Sequence, residues 1–563
     1  MLLDKVYKNC TVANEGLLEN SKLIGVEEMP TEFLPFDFRQ GKSEYSGPVV
    51  ANFVDGDQRK GFMHSPCHTL VVGGTGSGKT QCYYMAQAEA IARSKNKPSV
   101  FFMDLKGEYY KTISELYEKM GYEVFVLNLK KPFSSVRYNP LDPVWKAYQR
   151  YAETKRALLS ATGKEREYMG KTYSSYASWR NGVWAYGLQQ LEECENNLRR
   201  LSQMFVPVEG KKEPSWEYGA REMFYQQAMG LLEDSEYPER NMTREKFTIA
   251  NIVRIAHQVQ DDCSAIYKWI ENRKKDSEVR GLVSYYTKNA KQTREGYIST
   301  FTTKLDRWKN LSTDWITSKS EIDVEDIMDR IDKDHIAIFC IIDETRPEGY
   351  DICMAFINHL ITAAKIRTDH KGPFTRDFHI LADEFANMPQ LPQIENRIST
   401  LRSYKVWLHM GVQSYAQLDK VYGEQVRNII RDNCDFQISF GTNNSATVKE
   451  FTESLGHTSK PTTSYTIAND GRVNMSVGPT QTLLVHCSDL AQLRLGEAYA
   501  KVFRKPSIFT KLDPHFACPD LFHGNKQESE DVANLDEINR IRYDISLAGT
   551  DSARGKQKFT FDF

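Results

Sequence analysis

The chain of 563 residues has ten cysteines but no C-x-x-C pair among them. Zinc sites and dithiol redox sites commonly place two cysteines at that spacing, so neither kind of site is predicted. Several thiols lie in apolar runs, as Cys340 does in IAIFCII, where a buried structural thiol is typical. The cysteine pattern therefore suits a reducing compartment such as the cytosol.

Long apolar runs are missing as well. No run reaches the roughly 18 apolar residues that a transmembrane helix needs. The first residues, MLLDKVYKNC, carry too short an apolar stretch for a signal peptide. The chain as given is thus predicted to be soluble, and its 40% hydrophobic content is enough for the cores of several domains.

The chain also lacks an excess of charge of one sign, because its formal net charge is only −2. Any contact with nucleic acid must therefore be local. One segment, from Lys268 to Lys309, is locally basic, with 11 Lys and Arg against 5 Asp and Glu. Its interleaved aromatic residues are Tyr267, Trp269, Tyr285, Tyr286, Tyr297 and Phe301. Cations with aromatics suit single-stranded nucleic acid, but a charged helix with a buried aromatic stripe has the same pattern, and both interpretations stay open.

What the sequence does contain is a phosphate-binding loop. The pattern G-x-x-x-x-G-K-[ST] is matched by Gly73, Gly74, Thr75, Gly76, Ser77, Gly78, Lys79 and Thr80. A short apolar run at 69–72 precedes the loop as a strand, and residues 81–92 follow it as a helix, beginning at Gln81. Glycines let backbone N–H groups turn onto phosphate oxygens, and the helix N-terminus adds a positive dipole end. Lys79 is predicted to reach the phosphates of ATP, and Thr80 to hold Mg²⁺.

Strands and helices alternate on both sides of a long helical stretch, which predicts an α/β fold with a mostly parallel sheet interrupted by an all-helical insertion. Beyond the strand at 69–72, predicted strands cover 98–104, 123–127, 335–342, 378–383, 406–412, 436–441 and 498–503. The predicted segments are an N-terminal lead-in (1–60), the first part of the core (61–143), the insertion (144–330), the second part of the core (331–522) and a polar, partly disordered C-terminal tail (523–563).

A second half of the site is predicted where the apolar strand HILA ends in two acids. Asp383 is expected to hold Mg²⁺, and Glu384 to orient and deprotonate the attacking water. Gln413, at the end of the next strand, is a candidate sensor of the γ-phosphate. Candidates for an arginine that inserts into a neighbouring subunit's site are Arg397, Arg402, Arg427 and Arg431.

Several segments together resemble the TraG-like coupling proteins of type IV secretion, the ATPases that bring substrates to a conjugative channel. The resemblance rests on the phosphate loop, FFMDLKGEYY (101–110), SSVRYNPLDP (134–143), HILADEFANMPQLP (379–392), the LRSYKVWLHMGVQSYAQLDKVYG run (401–423) and LRLGEAYAKV (493–502). It spans about 66–143 and 334–510. The family also has a D-x-K-G-E segment, matched here by Asp104, Lys106 and Glu108, whose role the sequence leaves open between positioning water and bracing the loop.

The resemblance implies a RecA-like core with an all-helical domain inserted in it, a hexameric ring, and ATP with Mg²⁺ bound between subunits. It implies DNA, a relaxase and channel components as partners, and it puts Arg402 and Gln413 at the family's arginine and glutamine positions. One departure is that most members begin with transmembrane helices, whereas this chain shows none. It is therefore expected either to be recruited from the cytoplasm to the inner face of the membrane by another protein, or to begin after a lost anchor.

Two other classes of function remain in view. A cytosolic DNA translocase unconnected with secretion fits the missing anchor but not the specific motifs. The presence of both Lys79 and Glu384 argues against a substrate-docking receptor that binds nucleotide with little turnover, because such a receptor need not keep both residues. A small-molecule kinase is disfavoured, because it requires neither the large insertion nor the distant acidic pair.

Overall fold

A computed structural model describes most of the chain. The described residues are 21–38, 43, 45–55, 58–208, 215–257, 264–275, 277–282, 291–467, 473–530 and 541–543. Of the residues singled out above, Tyr285 and Tyr286 lie outside the described residues.

Strands are placed on both sides of the helical stretch. They are β1 (Leu23–Ile24), β2 (Leu34–Phe36), β3 (Val49–Asp55), β4 (Gln58–Met63), β5 (Thr69–Val72), β6 (Ser99–Leu105), β7 (Glu123–Asn128), β8 (Glu167–Tyr168), β9 (Lys171–Thr172), β10 (Ile336–Ile342), β11 (Phe378–Ala382), β12 (Val406–Val412), β13 (Phe436–Ser439), β14 (His457–Ile467), β15 (Val473–Leu483), β16 (Glu497–Val502) and β17 (Ser507–Lys511).

One ten-stranded sheet carries the fold, in the order β1-β17-β16-β13-β5-β12-β11-β6-β10-β7. From β13 to β7 every neighbouring pair is parallel, and β16 adds an antiparallel strand beside β13. The strands before and after the helical stretch interleave, since β10 lies between β6 and β7, while β11 and β12 lie between β6 and β5. The two halves of the sequence therefore build one sheet, and the carboxyl ends of the parallel strands share one edge.

Helices cover the sheet and fill the region between β7 and β10. They are α1 (Met29–Glu32), α2 (Met85–Arg93), α3 (Glu108–Lys119), α4 (Asp142–Leu159), α5 (Tyr176–Phe205), α6 (Ser215–Asp234), α7 (Ile249–His257), α8 (Ser264–Glu271), α9 (Lys291–Leu305), α10 (Leu311–Ile316), α11 (Val324–Arg330), α12 (Pro347–Lys371), α13 (Ile394–Tyr404), α14 (Tyr415–Tyr422), α15 (Glu424–Asp432), α16 (Ser445–Leu455) and α17 (Cys487–Ala491). A wider π-helical turn, Lys79–Tyr84, precedes α2. Between β7 and β10, the short pair β8–β9 adds a two-stranded hairpin to the helices.

Both faces of the sheet are buried, as expected of parallel strands that have helices on each side. Along β6, Phe101 and Met103 pack into one apolar cluster, and Val100 and Phe102 pack into the other. The first of these clusters continues into the helical stretch without a break. The insertion is therefore packed onto the core rather than held only by its two connections.

The locally basic segment contributes to that packing. Trp269 and Phe301 are buried in the first cluster. Arg273 is buried as well, and its guanidinium pairs with Glu233 at 2.6 Å and Asp234 at 2.7 Å. Two of the interleaved aromatics are thus core residues, and one of the cations is neutralised within the helical stretch.

Two features lie outside the main sheet. β14 and β15 form a long antiparallel hairpin, which is a separate two-stranded sheet. The described part of the tail runs along α3, where Gly524 and Lys526 donate backbone hydrogen bonds to carbonyl oxygens of residues 111–112. Further on, the Tyr543 hydroxyl donates to Asp234 at 2.9 Å, which ties the tail to the helical stretch.

Among the described helices, none combines the length and the apolar character that crossing a lipid bilayer requires.

Candidate functional site

The phosphate loop connects β5 to the π-helical turn at the carboxyl edge of the sheet. Gly76 and Gly78 have φ angles of 76° and 94°, in the left-handed region that favours glycine. A Cβ built on Gly73 would lie 2.3 Å from Ser77 Oγ and 2.9 Å from Lys79 Cγ, so a larger residue there would displace the Ser77 and Lys79 side chains. The loop therefore has the tight curl that turns backbone N–H groups toward a phosphate.

Lys79 and Thr80 begin the helical turn and point to different partners. The Lys79 ammonium donates to the Gly73 carbonyl oxygen at 2.6 Å, and its side chain is almost fully buried. The Thr80 hydroxyl donates to Oδ2 of Asp383. The phosphate loop and the acidic pair lie far apart in the sequence, and this hydrogen bond brings them into contact.

Asp383 follows β11 directly and is buried. Burial raises the pKa of its carboxyl to about 6, against the Thr80 hydrogen bond and the Lys79 charge, which lower it. Its second oxygen, Oδ1, is buried and has no hydrogen-bond partner among the described residues. The Ser77 hydroxyl in the loop is also buried and also has no hydrogen-bond partner among the described residues. An unpaired carboxylate oxygen beside a threonine hydroxyl is a donor set that fits Mg²⁺, and the loop fits phosphate.

Glu384 and Gln413 form a bridge from the acidic pair to the loop. Gln413 follows β12, and its amide donates to Glu384 Oε2 at 3.4 Å, while Thr75 donates to the Gln413 amide oxygen at 3.3 Å. Asn387 donates to the same Glu384 oxygen at 3.1 Å. A change at the loop can therefore reach Glu384 through a single side chain.

Arg402 lies elsewhere. It is in the last turn of α13, just before β12 begins, and so at the opposite edge of the sheet from the phosphate loop. Seven residues of β12 separate the two edges by about 20 Å. The Arg402 side chain is 67% exposed and 3.4 Å from Asp435. Within its own subunit it does not reach the phosphate loop.

The other candidate arginines are held by neighbours in the same chain. Arg397 donates to Asn358 at 2.6 Å and to Thr362 at 2.9 Å. Arg427 and Arg431 both pair with Glu450. Arg402 is thus the most exposed of the four.

The D-x-K-G-E segment lies beside the site. Asp104 is completely buried at the end of β6, and burial raises the pKa of its carboxyl to about 7. Lys106 is on the surface, 3.5 Å from Glu344. Glu108 accepts a hydrogen bond from Gln81, the residue that follows the phosphate-loop motif.

Two contacts at the site were not anticipated from the sequence. The loop after β13 braces the phosphate loop, since Gly74 donates its backbone N–H to the Gly441 carbonyl oxygen at 2.9 Å and Thr442 donates to the Gln413 carbonyl oxygen at 2.9 Å. The Tyr109 hydroxyl lies 3.4 Å from Asp383 Oδ2. Neither contact belongs to a known short pattern, so only the fold could reveal them.

The chain is similar to known proteins both in sequence family and in fold. A family model described as type IV secretory system conjugative DNA transfer matches residues 13–500. No curated protein matches the chain. Solved structures of the bacterial conjugative coupling protein TrwB are similar in fold.

The TrwB likeness is consistent across crystal forms and ligands. Unbound TrwB lacking its first 70 residues is 12% identical, with a TM-score of 0.54, and the alignment covers 91% of this chain and 95% of that one. TrwB in complex with ADP and Mg²⁺ is 13% identical, with a TM-score of 0.54 and coverage of 91% and 96%. The complex with the ATP analogue ADPNP is 13% identical, with a TM-score of 0.53 and the same coverage. The likeness confirms the predicted fold class, a RecA-like core with a mostly parallel sheet and a helical insertion.

Proposed function

Because this chain belongs to the type IV secretory system conjugative DNA transfer family, and so serves type IV secretion as a coupling protein, we propose that it is an ATPase that drives DNA, or a DNA–relaxase complex, toward the secretion channel. The observation that carries the proposal is the contact of Thr80 with Asp383. It joins the phosphate loop to the strand-end acid, which is the pairing that P-loop ATPases use to hold a metal ion on the nucleotide.

The proposed nucleotide is ATP with Mg²⁺. TrwB binds ADP with Mg²⁺ and binds ADPNP, and this chain has the same fold. The backbone from Gly73 to Gly78 and the side chains of Lys79 and Gln81 would hold the phosphates, while Thr80 and Asp383 would hold Mg²⁺. When bound, the metal ion would neutralise negative charge that develops on the phosphate oxygens during phosphoryl transfer. The unpaired Ser77 and Asp383 oxygens support this assignment.

Glu384 is the proposed general base, and Gln413 the sensor. Glu384 lies one residue beyond Asp383, at the edge where ligands bind in parallel α/β sheets. The Gln413 amide contacts both Glu384 and Thr75. This bridge supports a role for Gln413 in reporting the state of the loop to the residue that orients the attacking water.

The proposed assembly is a hexameric ring in which Arg402 completes the site of the next subunit. Arg402 is exposed, and it lies about 20 Å from the phosphate loop of its own chain. An arginine fork supplied from a neighbour stabilises the charge on the transferring phosphoryl group. The position of Arg402 supports action between subunits and argues against action within one.

We also propose that residues 144–330 form a domain that is inserted between two core segments, 61–143 and 331–522. We further propose recruitment to the inner face of the cell membrane by channel components. The helical domain is the part we expect to contact the relaxase or DNA first.

Steady-state ATP hydrolysis with and without single-stranded DNA, measured across protein concentration, tests the proposal. The Glu384→Gln variant serves as the blank. A turnover that DNA stimulates, and that rises cooperatively with protein concentration, is expected of a ring motor with sites between subunits. Tight ATP binding without turnover, even with DNA and channel components present, would instead mean a docking receptor.

A further inference from the structure

The D-x-K-G-E segment makes a tight turn between β6 and α3. Lys106 and Gly107 have φ angles of 77° and 80°, so two consecutive left-handed residues reverse the chain after the strand. The buried Asp104 carboxylate then accepts the backbone N–H groups of Tyr109 at 3.1 Å and Tyr110 at 2.8 Å. Since the first N–H groups of a helix have no partner within the helix, Asp104 caps α3 and fixes the direction of its first turn.

The capped turn aims the Tyr109 side chain at the candidate metal-binding acid. The ring is buried and stacks on Phe102, with centroids 5.5 Å apart. The hydroxyl donates to Asp383 Oδ2 at 3.4 Å. That oxygen also accepts the Thr80 hydroxyl, so both donors act on one side of the carboxylate and Oδ1 is left without a partner among the described residues.

The same turn also touches the phosphate loop, because Glu108 accepts the side-chain amide of Gln81. One helical turn thus contacts the acid on β11 and the helix that begins at Lys79. Both contacts come from the helix turn that Asp104 caps.

We propose that Tyr109 is a positioning residue of the nucleotide site, which holds the Asp383 carboxylate so that Oδ1 is available to the metal ion, and that the D-x-K-G-E segment serves to place it. This inference rests on the proposed Mg²⁺–nucleotide site. It gives a specific role to a segment whose role the sequence leaves open.

Tyr110 provides a matched control. It is the next residue of the same helix turn and is also largely buried, but its ring faces Phe339 and the Lys526 ammonium of the tail. A Tyr110→Phe substitution removes a hydroxyl from the next residue of the same helix without touching Asp383. A purely structural role for the two tyrosines predicts similar effects of the two substitutions.

The test is the affinity for a fluorescent ADP analogue, measured in EDTA and across a Mg²⁺ titration, for the wild type, Tyr109→Phe and Tyr110→Phe. Loss of one hydrogen bond to a carboxylate should raise the Mg²⁺ concentration for half-maximal enhancement about tenfold in Tyr109→Phe. Its affinity in EDTA and its thermal unfolding should stay at the wild-type values, and Tyr110→Phe should match the wild type throughout. Asp104→Asn, which weakens the cap, should shift the Mg²⁺ requirement in the same direction.

Three results would overturn the inference. The first is an unchanged Mg²⁺ requirement in Tyr109→Phe, and the second is an equal loss of affinity in EDTA and in Mg²⁺, which would mean a general effect on the loop. The third is a wild-type affinity that does not depend on Mg²⁺, which would remove the metal site as well. Absence of ATP turnover together with the expected Mg²⁺ shift would leave the inference standing and reject only the motor.

Discussion

The Lys79 ammonium contacts the carbonyl oxygen of Gly73 within its own loop. Replacement by alanine removes the one buried cation of the loop, and with it the charge that faces the phosphates. We expect Lys79→Ala to lower the turnover of ATP by about 100-fold or more. The measurement is phosphate release at saturating ATP.

Lys97→Ala is the matched control for this change. The Lys97 ammonium also donates to a backbone carbonyl oxygen, that of Met120 at 2.7 Å, but away from the loop. The control should keep wild-type turnover. Turnover near the wild-type value in Lys79→Ala would remove the phosphate-loop assignment.

A substitution at Glu384 can separate ATP binding from ATP hydrolysis. Glu384→Gln keeps the size of the side chain but removes the base, so the variant should bind ATP as the wild type does and fail to hydrolyse it. The checks are ATP affinity by equilibrium titration and single-turnover hydrolysis. Glu453→Gln, on the exposed face of α16, should change neither quantity, and a loss of ATP binding in Glu384→Gln would mean that Glu384 supports the structure of the site.

Part of the candidate site could be predicted from the sequence because short patterns report local geometry. The glycines of the loop and the acids after β11 are such patterns, and the structure brings Thr80 and Asp383 into contact. Tyr109 could not be predicted in this way. Its approach to Asp383 depends on the Lys106–Gly107 turn and on the neighbouring positions of β6 and β11.

The contact of the helical insertion with α12 includes an ion pair between the partly exposed Arg307 and the buried Asp351. Arg307, which follows α9, donates to Asp351 at 2.8 Å. Burial raises the pKa of the Asp351 carboxyl to about 7, although the Arg307 charge lowers it. Between the ordinary value of 3.8 and about 7, the folded protein holds a proton that the unfolded chain has released, so this group makes the protein less stable as the pH rises through that window.

Asp351→Asn cannot titrate, and its free energy of unfolding should therefore fall less between pH 5 and pH 6.5. The difference in slope should approach about 1.4 kcal/mol per pH unit at most. Urea unfolding at the two pH values measures it, with the exposed Asp369→Asn as a control that keeps the wild-type slope. Identical slopes in the wild type and Asp351→Asn would show that Asp351 stays charged beside Arg307.

Strands and helices were predictable to different degrees. β5 and β12 have the predicted bounds because each is a continuous apolar run between polar loops. The predicted strand at 436–441 ends two residues early, at Ser439, since Gly441 has a φ of 84° and turns the chain toward the phosphate loop. The helix after the loop begins two residues earlier than predicted, because the π-helical turn already includes Lys79 and Thr80.

The full assembly is tested by mixing two inactive variants. If Arg402 acts on the site of the next subunit, a 1:1 mixture of Lys79→Ala and Arg402→Ala subunits contains interfaces in which both residues are intact. Random assembly makes about a quarter of the interfaces complete, so turnover should recover to about a quarter of the wild-type value. Hydrolysis after denaturant-assisted subunit exchange is the measurement.

A second mixture controls for exchange itself. Lys79→Ala and Glu384→Gln remove two residues of the same site in the same chain, so their mixture has no complete interface and should stay inactive. Recovery in that mixture, or none in the first when mixed oligomers are present, would contradict a site shared between subunits.

The interleaving of the sheet has a consequence for biosynthesis. Thr80 and Asp383 are 303 residues apart, and β6 lies between two strands that are both made after the insertion. At about 5–20 residues per second, the ribosome needs roughly 15–60 s to deliver the second half of the site after the first. Throughout that time the apolar strands β5 and β6 lack their neighbours in the sheet, whereas the helices of the insertion can fold as they emerge. The nascent chain is therefore at its most vulnerable to aggregation before residue 412, and ATP cannot stabilise it until synthesis has passed that point.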